Sequence, residues 1–355
     1  MRKLIATILL IAAAVHTGCA ASGRGSAAMP RWSFEPEMIF PADRSLKRPE
    51  DGVFLADGRI VVADQVDGLR VVSADGSSRP FGKLAQAGYA HDPPSIVGAP
   101  NGVSLDPSGT HILVADVYRG GIFSVEIATE ATERVYQHPF GVNTARRDRA
   151  GGLWFTQSTR NGPEHGEAEL LRSVDVATPD GALYYLPPPR GGEPRAPVSM
   201  LDERLFFANG FVLDETNRYI YLAETTGGRV TRYRIDPDGG RLSDRIVVLE
   251  VDHPDNLELD RHNRLWIASP VRSEIIVLDL ASGATRSVLR ISTPTSERRV
   301  EEIQTRIGNG TSWLELLTPE LWEPGPGMTT GIILPPDDGP VYVTGLGDAL
   351  IRLAP

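Results

Sequence analysis

The sequence predicts an all-β fold, a six-bladed β-propeller, on three observations. First, residues 205–236 (LFFANGFVLDETNRYIYLAETTGGRVTRYRID) hold three short alternating runs joined by tight turns, the content of one antiparallel blade. Second, the same grammar recurs from Pro49, Pro100, Gly141 and Pro254, and in a shorter copy from Gly327. Meanders that cannot bury both faces alone stack on one another, and six copies close a ring. Third, Gly 36 and Pro 28 supply the many turns such a fold needs, and no linker interrupts the repeats.

Along the chain, Met1-Arg2-Lys3 precedes an apolar run from Leu4 to Val15, too short to span a membrane comfortably. Residues 1–18 read as a signal segment of lipoprotein type that ends before Cys19, although His16 stands where that motif usually has Leu. Residues 19–30, small and polar, read as a tether, and residues 31–355 as the propeller. Residues 31–40 are expected to supply a strand that closes the ring against the last blade. Within the repeats, Asn209-Gly210 is read as a turn, and Trp154 and Trp266 as blade core. Two stretches fall outside the repeat grammar, about 157–198 and about 292–327. Both are read as insertions that carry specificity. The second holds a helix-like SERRVEEIQTRI and the residues Leu314, Leu317, Leu321 and Trp322, which either wall a pocket or dock a helix on the propeller.

Composition narrows the function. The net charge is −10, and loss of Arg2 and Lys3 with a signal segment makes the chain more acidic still. With no basic cluster beyond residues 146–149, nucleic acid is not an expected partner. Cys19 is the only cysteine, so no intramolecular disulfide or thiol catalysis is available to the domain.

Each copy places a polar residue at the mouth of its first strand: Glu50, Asn101, Asn143, Asn209 and the pair Asp255-Asn256. In a propeller the first strands line the central channel, so these positions converge. One Asn-Gly alone is an ordinary turn signal; the recurrence, with acids in two copies, points to a site. Carboxylates with amide carbonyls make an oxygen-only set suited to a hard cation, Ca²⁺ above all, though another divalent ion is admitted. No His or Cys cluster has zinc spacing.

The motifs FANGFVLDETNRYIYLAETTGGRVTRYRID and HPDNLELDRHNRLWIA resemble the senescence-marker-protein/gluconolactonase-like, paraoxonase and strictosidine-synthase-like superfamily of six-bladed propellers. The resemblance implies a central calcium held by Glu50, Asn143, Asn209 and Asp255, with Asn256 as an additional ligand of the paraoxonase branch. It also implies hydrolysis of a lactone or related ester, the cation polarising the carbonyl and Asp255 serving as base or nucleophile. Two departures stand out. Asn101 replaces the His of the paraoxonase branch, and Asn143-Thr144 replaces a usual Asn-Asp. His253, two residues before Asp255, is a second base candidate if the segment is extended; His91, His138 and His165 are read as structural or solvated, and His111 and His262 as outer-turn residues.

The expectation is therefore an exported calcium-dependent lactonase or esterase, a periplasmic or outer-membrane bacterial lipoprotein anchored through Cys19. A non-catalytic envelope scaffold and a metal-free, strictosidine-synthase-like enzyme are the alternatives.

Overall fold

A computed structural model describes residues 29, 31–164, 166–189, 196–236 and 240–354. The signal segment, nearly all of the tether including Cys19, and His165 lie outside the described residues.

Six four-stranded antiparallel sheets form the ring. Five are consecutive meanders: β2 (Pro49–Phe54) to β5 (Ser78–Pro80), β6 (Pro100–Leu105) to β9 (Thr132–Gln137), β10 (Ala145–Arg147) to β13 (Ser199–Phe206), β14 (Ala208–Asp214) to β17 (Leu242–Glu250), and β18 (Leu257–Leu259) to β21 (Thr285–Arg290). The sixth combines β22 (Thr329–Ile333), β23 (Val341–Gly345) and β24 (Leu350–Leu353) with β1 (Ile39–Phe40) from the other end of the domain. Ile39 pairs with Ile351 and Phe40 with Leu350, the ring closure that residues 31–40 were expected to make. Trp32 adds to the clasp, its indole N–H donating to the Ala354 carbonyl at 2.7 Å.

The core lies between blades. Alternating residues of neighbouring sheets interdigitate, as where Val61, Ala63 and Val71 of the first blade meet Val103, Ile112 and Val114 of the second. Comparable clusters join the other neighbours, and Ile333, Tyr342 and Leu350 bring the sixth blade against Ile60 and Val62 of the first. Trp154 and Trp266 are blade core, 1% and 2% exposed. Each indole N–H finds an aspartate six residues upstream, Asp148 at 2.9 Å and Asp260 at 3.0 Å.

Two expectations need correction. Asn209-Gly210 is not a turn but lies inside β14. Part of the stretch 157–198 is not an insertion either: β12 (Pro179–Leu186) belongs to the third blade, and the residues after it connect to β13 of the same blade. Pro, Gly and charge in the connection between them hid the hairpin. The true insertion is shorter and contains α1 (Gly166–Asp175). The later insertion forms α2 (Pro294–Gly308) as its sequence predicts. Thr293 and Ser296 make a reciprocal capping box, and Pro294 occupies the first turn, where its missing N–H costs nothing. Val300 and Ile303, one turn apart, pack against Val271, Trp313, Leu316 and Leu321. The helix therefore docks over the propeller face, with Leu321 in its interface.

Candidate metal and hydrolase site

The site arises from irregularities in the innermost strands. Pairing to the second strand skips between Pro49 and Gly52, Pro100 and Val103, Ala208 and Phe211, and Thr329 and Gly331. A bulge frees one or two residues from the ladder and re-aims their side chains. The freed positions are Glu50-Asp51, Asn101-Gly102, Asn209-Gly210 and Thr330, so the residues read as mouth positions are bulge residues.

Glycine at the second freed position allows neighbouring inner strands to touch. A Cβ on Gly102 would stand 2.7 Å from the Thr144 Cα, and one on Gly210 2.6 Å from the Asn256 Cα. Hydrogen bonds lace the blades there. Gly102 N–H donates to the Asn143 carbonyl at 2.9 Å and Asn256 N–H to the Thr330 carbonyl at 3.0 Å. The Thr330 and Thr344 hydroxyls both donate to the Glu50 carbonyl, at 2.6 and 2.7 Å.

Glu50, Asn101, Asn143, Asn209 and Asp255 all line one cavity of about 170 Å³ on the channel axis, with His253, Arg48, Gln65, Thr225 and Thr330. Asn256 does not line it. Its side-chain N–H donates to Glu50 Oε1 at 3.0 Å, which makes it an orienting partner of Glu50. Glu50 Oε2 is buried without a hydrogen-bond partner among the described residues.

Three carboxyls are buried together. Burial, then Asp255 and Asp51, raise Glu50 well above the ordinary carboxylate range. Burial raises Asp255 to about 8, with Asp51 adding to the rise and the Asn209 amide opposing it. Burial likewise raises Asp51 to about 7, against the N–H of Val103 that donates to it at 2.8 Å. No ion pair involves these three among the described residues. Beneath them Arg146 and Glu258 form an ion pair across the channel.

These donors fit a hard divalent cation. The set is all oxygen, it includes a carboxylate oxygen with nothing bonded to it, and its amide oxygens retain capacity. Among the described residues Asn209 Oδ1 accepts only Gly210 N–H at 2.8 Å, Asn143 Oδ1 the Thr144 hydroxyl at 3.0 Å, and Asn101 Oδ1 a Gln65 N–H at 3.0 Å. Each carbonyl oxygen has a second lone pair. No group of three or more His, Cys, Asp or Glu side chains with metal-holding geometry occurs among the described residues, so amides must supply much of any coordination.

His253 does not lie on an extended segment; its φ of 45° bends the chain, so its relation to Asp255 is set by the bend and not by strand alternation. It still reaches the cavity, edge-on to Trp313 with centroids 5.2 Å apart, and burial lowers it to about 4. His138 is in a different environment, bonded to Gln157 at 2.9 Å and packed among Phe155, Tyr184 and Phe140. His91 bonds the Gly98 carbonyl at 2.5 Å and does not reach the cavity. Leu317 lines the cavity, whereas Leu314, Leu321 and Trp322 do not.

Sequence reasoning missed Asp51, Trp313 and the helix α1, whose Leu170, Leu171 and Val174 reach the cavity. Asp51 was visible as the acid beside Glu50. For α1 the signal was the run GEAELLRSVD, with apolar residues four apart.

A protein-family model described as SMP-30/Gluconolactonase/LRE-like region matches residues 136–298. Strictosidine synthase-like 6 of Arabidopsis thaliana is 26% identical over 233 residues, 63% of this chain and 57% of that protein. The chain spans between 30% and 57% of the length of the first curated relatives it matches. Among solved structures, a gluconolactonase from Xanthomonas campestris superimposes with a TM-score of 0.59 at 17% identity, covering 88% of both chains. Regucalcin of Agrobacterium tumefaciens, described as a calcium-binding protein, gives a TM-score of 0.55 at 15% identity, covering 89% of this chain and 87% of its own. Sequence over the middle blades and fold over nearly the whole ring relate this chain to the SMP-30/gluconolactonase-like and strictosidine-synthase-like six-bladed propellers.

Proposed function

We propose that the protein hydrolyses lactones or related esters with a divalent cation, calcium first, at the centre of the ring. The observation that carries this reading is the unpartnered Glu50 Oε2 among the buried carboxyls and amide oxygens of the cavity floor. Glu50, Asn143, Asn209 and Asp255 are the proposed ligands, with Asn101 a further oxygen on the same floor. Asn256 fixes Glu50. Bound there, the cation supplies Lewis-acid polarisation of a carbonyl oxygen. The chain's own contribution is to orient the substrate against this floor, to keep bulk water out with the overlying helices, and to accept a proton at the Asp255 carboxylate. His253, held low by burial, is neutral near pH 7 and adds a polar edge to the wall.

The similarity to lactonase-type propellers supports the reaction class. The chain is further proposed to be exported and held at a membrane by a lipid on Cys19. Replacing Cys19 by Ser should move it from the membrane to the soluble fraction, and an unchanged distribution would remove the anchor.

A metal-free reaction is the second reading, favoured by the strictosidine-synthase-like relative. One experiment separates the two. Residues 20–355 are assayed on a lactone panel, with calcium and then with chelator. Turnover lost in chelator and restored by calcium supports the proposal. Turnover that persists in chelator supports the second reading, and no turnover by folded, calcium-loaded protein refutes both on these substrates.

A further inference from the structure

The walls of the cavity differ from its floor. Above the carboxyls and amides stand Leu171 and Val174 of α1, Val271, Phe207, and Trp313 and Leu317 after α2. The two helical segments are joined by the N–H of Trp313, which donates to Asp175 Oδ1 at 2.9 Å, so the walls are one assembly. The apolar wall reaches solvent at Leu171, which lines the cavity and is also 44% exposed.

The polar groups on the floor are largely bonded to one another. Arg48 donates to Gln65 at 2.9 Å, Gln65 to Asn101 at 3.0 Å, and Asn101 to the Asn143 carbonyl at 3.3 Å. Thr225 donates to the Pro254 carbonyl at 2.7 Å and Thr330 to the Glu50 carbonyl at 2.6 Å. The atoms left free, Glu50 Oε2 and His253 Nδ1 among them, lie at the floor, so a sugar-like ring entering this space gives up its water and turns its outer hydroxyls to aliphatic and indole walls, which costs affinity for each hydroxyl left unpaired.

We infer that the non-reacting arm of the substrate is hydrocarbon: the cavity selects alkyl- or aryl-substituted lactones and esters over polyhydroxylated lactones. This rests on the reading of the floor as a hydrolytic site. Leu171, Val174, Trp313 and Leu317 are the specificity-determining residues, and the exposed edge at Leu171 is the entry for the arm. Each methylene that leaves water for such walls strengthens binding by about fourfold, so an arm with three buried methylenes gains about fiftyfold.

The test uses residues 20–355 and has a binding arm and a turnover arm. By calorimetry, 3-hexylcyclopentanone, an isostere of γ-decalactone that cannot be hydrolysed, is compared with cyclopentanone. Turnover is compared for γ-decalactone, γ-butyrolactone and glucono-δ-lactone. The hexyl ketone should bind at least about fiftyfold more tightly than the parent, by the same per-methylene factor, and γ-decalactone should have the highest kcat/KM. In Val174→Asn and Leu317→Asn the hexyl advantage should contract severalfold in both measurements. Equal binding of the two ketones, or a preference for glucono-δ-lactone, overturns the inference. Tight binding of the hexyl ketone with no lactone hydrolysed leaves the apolar pocket standing and refutes the lactonase reading.

Discussion

Replacing Asp255 by Asn separates a strained ligand from a structural aspartate by the sign of a stability change. Asp255 is 9% exposed, and burial and Asp51 raise it from an ordinary 3.8 to about 8. Without a cation, the folded protein at pH 7 holds this carboxyl protonated, at a cost of up to about 4 kcal/mol at about 1.4 kcal/mol per pH unit. Asparagine has nearly the same shape and no proton to acquire, so the substitution should return part of that cost, on the order of 1–3 kcal/mol. Unfolding entropy per residue makes 1 kcal/mol worth about 1.5 °C in a domain of this size, so Tm in chelator should rise by about 2–4 °C. In calcium the gap closes. A ligand at a hundred times its Kd stabilises the wild type by about 2.7 kcal/mol, or about 4 °C, and the variant should gain little or nothing. Scanning calorimetry of both proteins, in chelator and in calcium, reads all four values. An Asp255→Asn protein that melts lower than wild type in chelator, or that gains from calcium as the wild type does, refutes the assignment.

The same burial sets a pH dependence in the metal-free protein. Asp51 and Asp255 have folded pKa values raised to about 7 and about 8, so between about pH 4 and 8 the folded state binds more protons than the unfolded one. Tm in chelator should therefore fall as pH rises through that window, and saturating calcium should flatten the slope; a metal-free protein that gains stability toward pH 8 contradicts this. Gly210→Ala places a Cβ 2.6 Å from the Asn256 Cα and should cost about 1–3 kcal/mol by overpacking. By wedging the fourth and fifth blades apart, it should also weaken calcium binding measured by titration. Gly240→Ala, with nothing within 4 Å of the added Cβ, is the control expected to leave both unchanged. Arg146→Met leaves Glu258 without its cation beneath the site and should lower Tm by an amount equivalent to about 2 kcal/mol, because a charged hydrogen bond is lost where solvent is scarce.

The ring was legible because its strands are antiparallel and bounded by turns. Alternation in runs such as Arg218–Ala223 survives in single sequence, and the recurrence of such runs implies closure. The convergence of Glu50, Asn101, Asn143, Asn209 and Asp255 on one cavity was legible for the same reason, since equivalent strand ends of a propeller must meet at its axis. Their local geometry was not. Asn209-Gly210 reads as a turn, but it is a break in the ladder between Ala208 and Phe211, because turns and bulges select the same residues by the same freedom from pairing. Sequence marks where the ladder fails; whether the chain reverses there or continues depends on the neighbouring blade, whose Asn256 Cα leaves room for nothing larger than glycine. The walls were least legible. Trp313 and α1 come from insertions without periodic register to the repeats, and the bond from Trp313 to Asp175 spans 138 residues. The part of the site set by blade repetition can thus be read in one sequence. The part that would choose the substrate is set by how two unrelated insertions pack over the axis, and it became visible only in three dimensions.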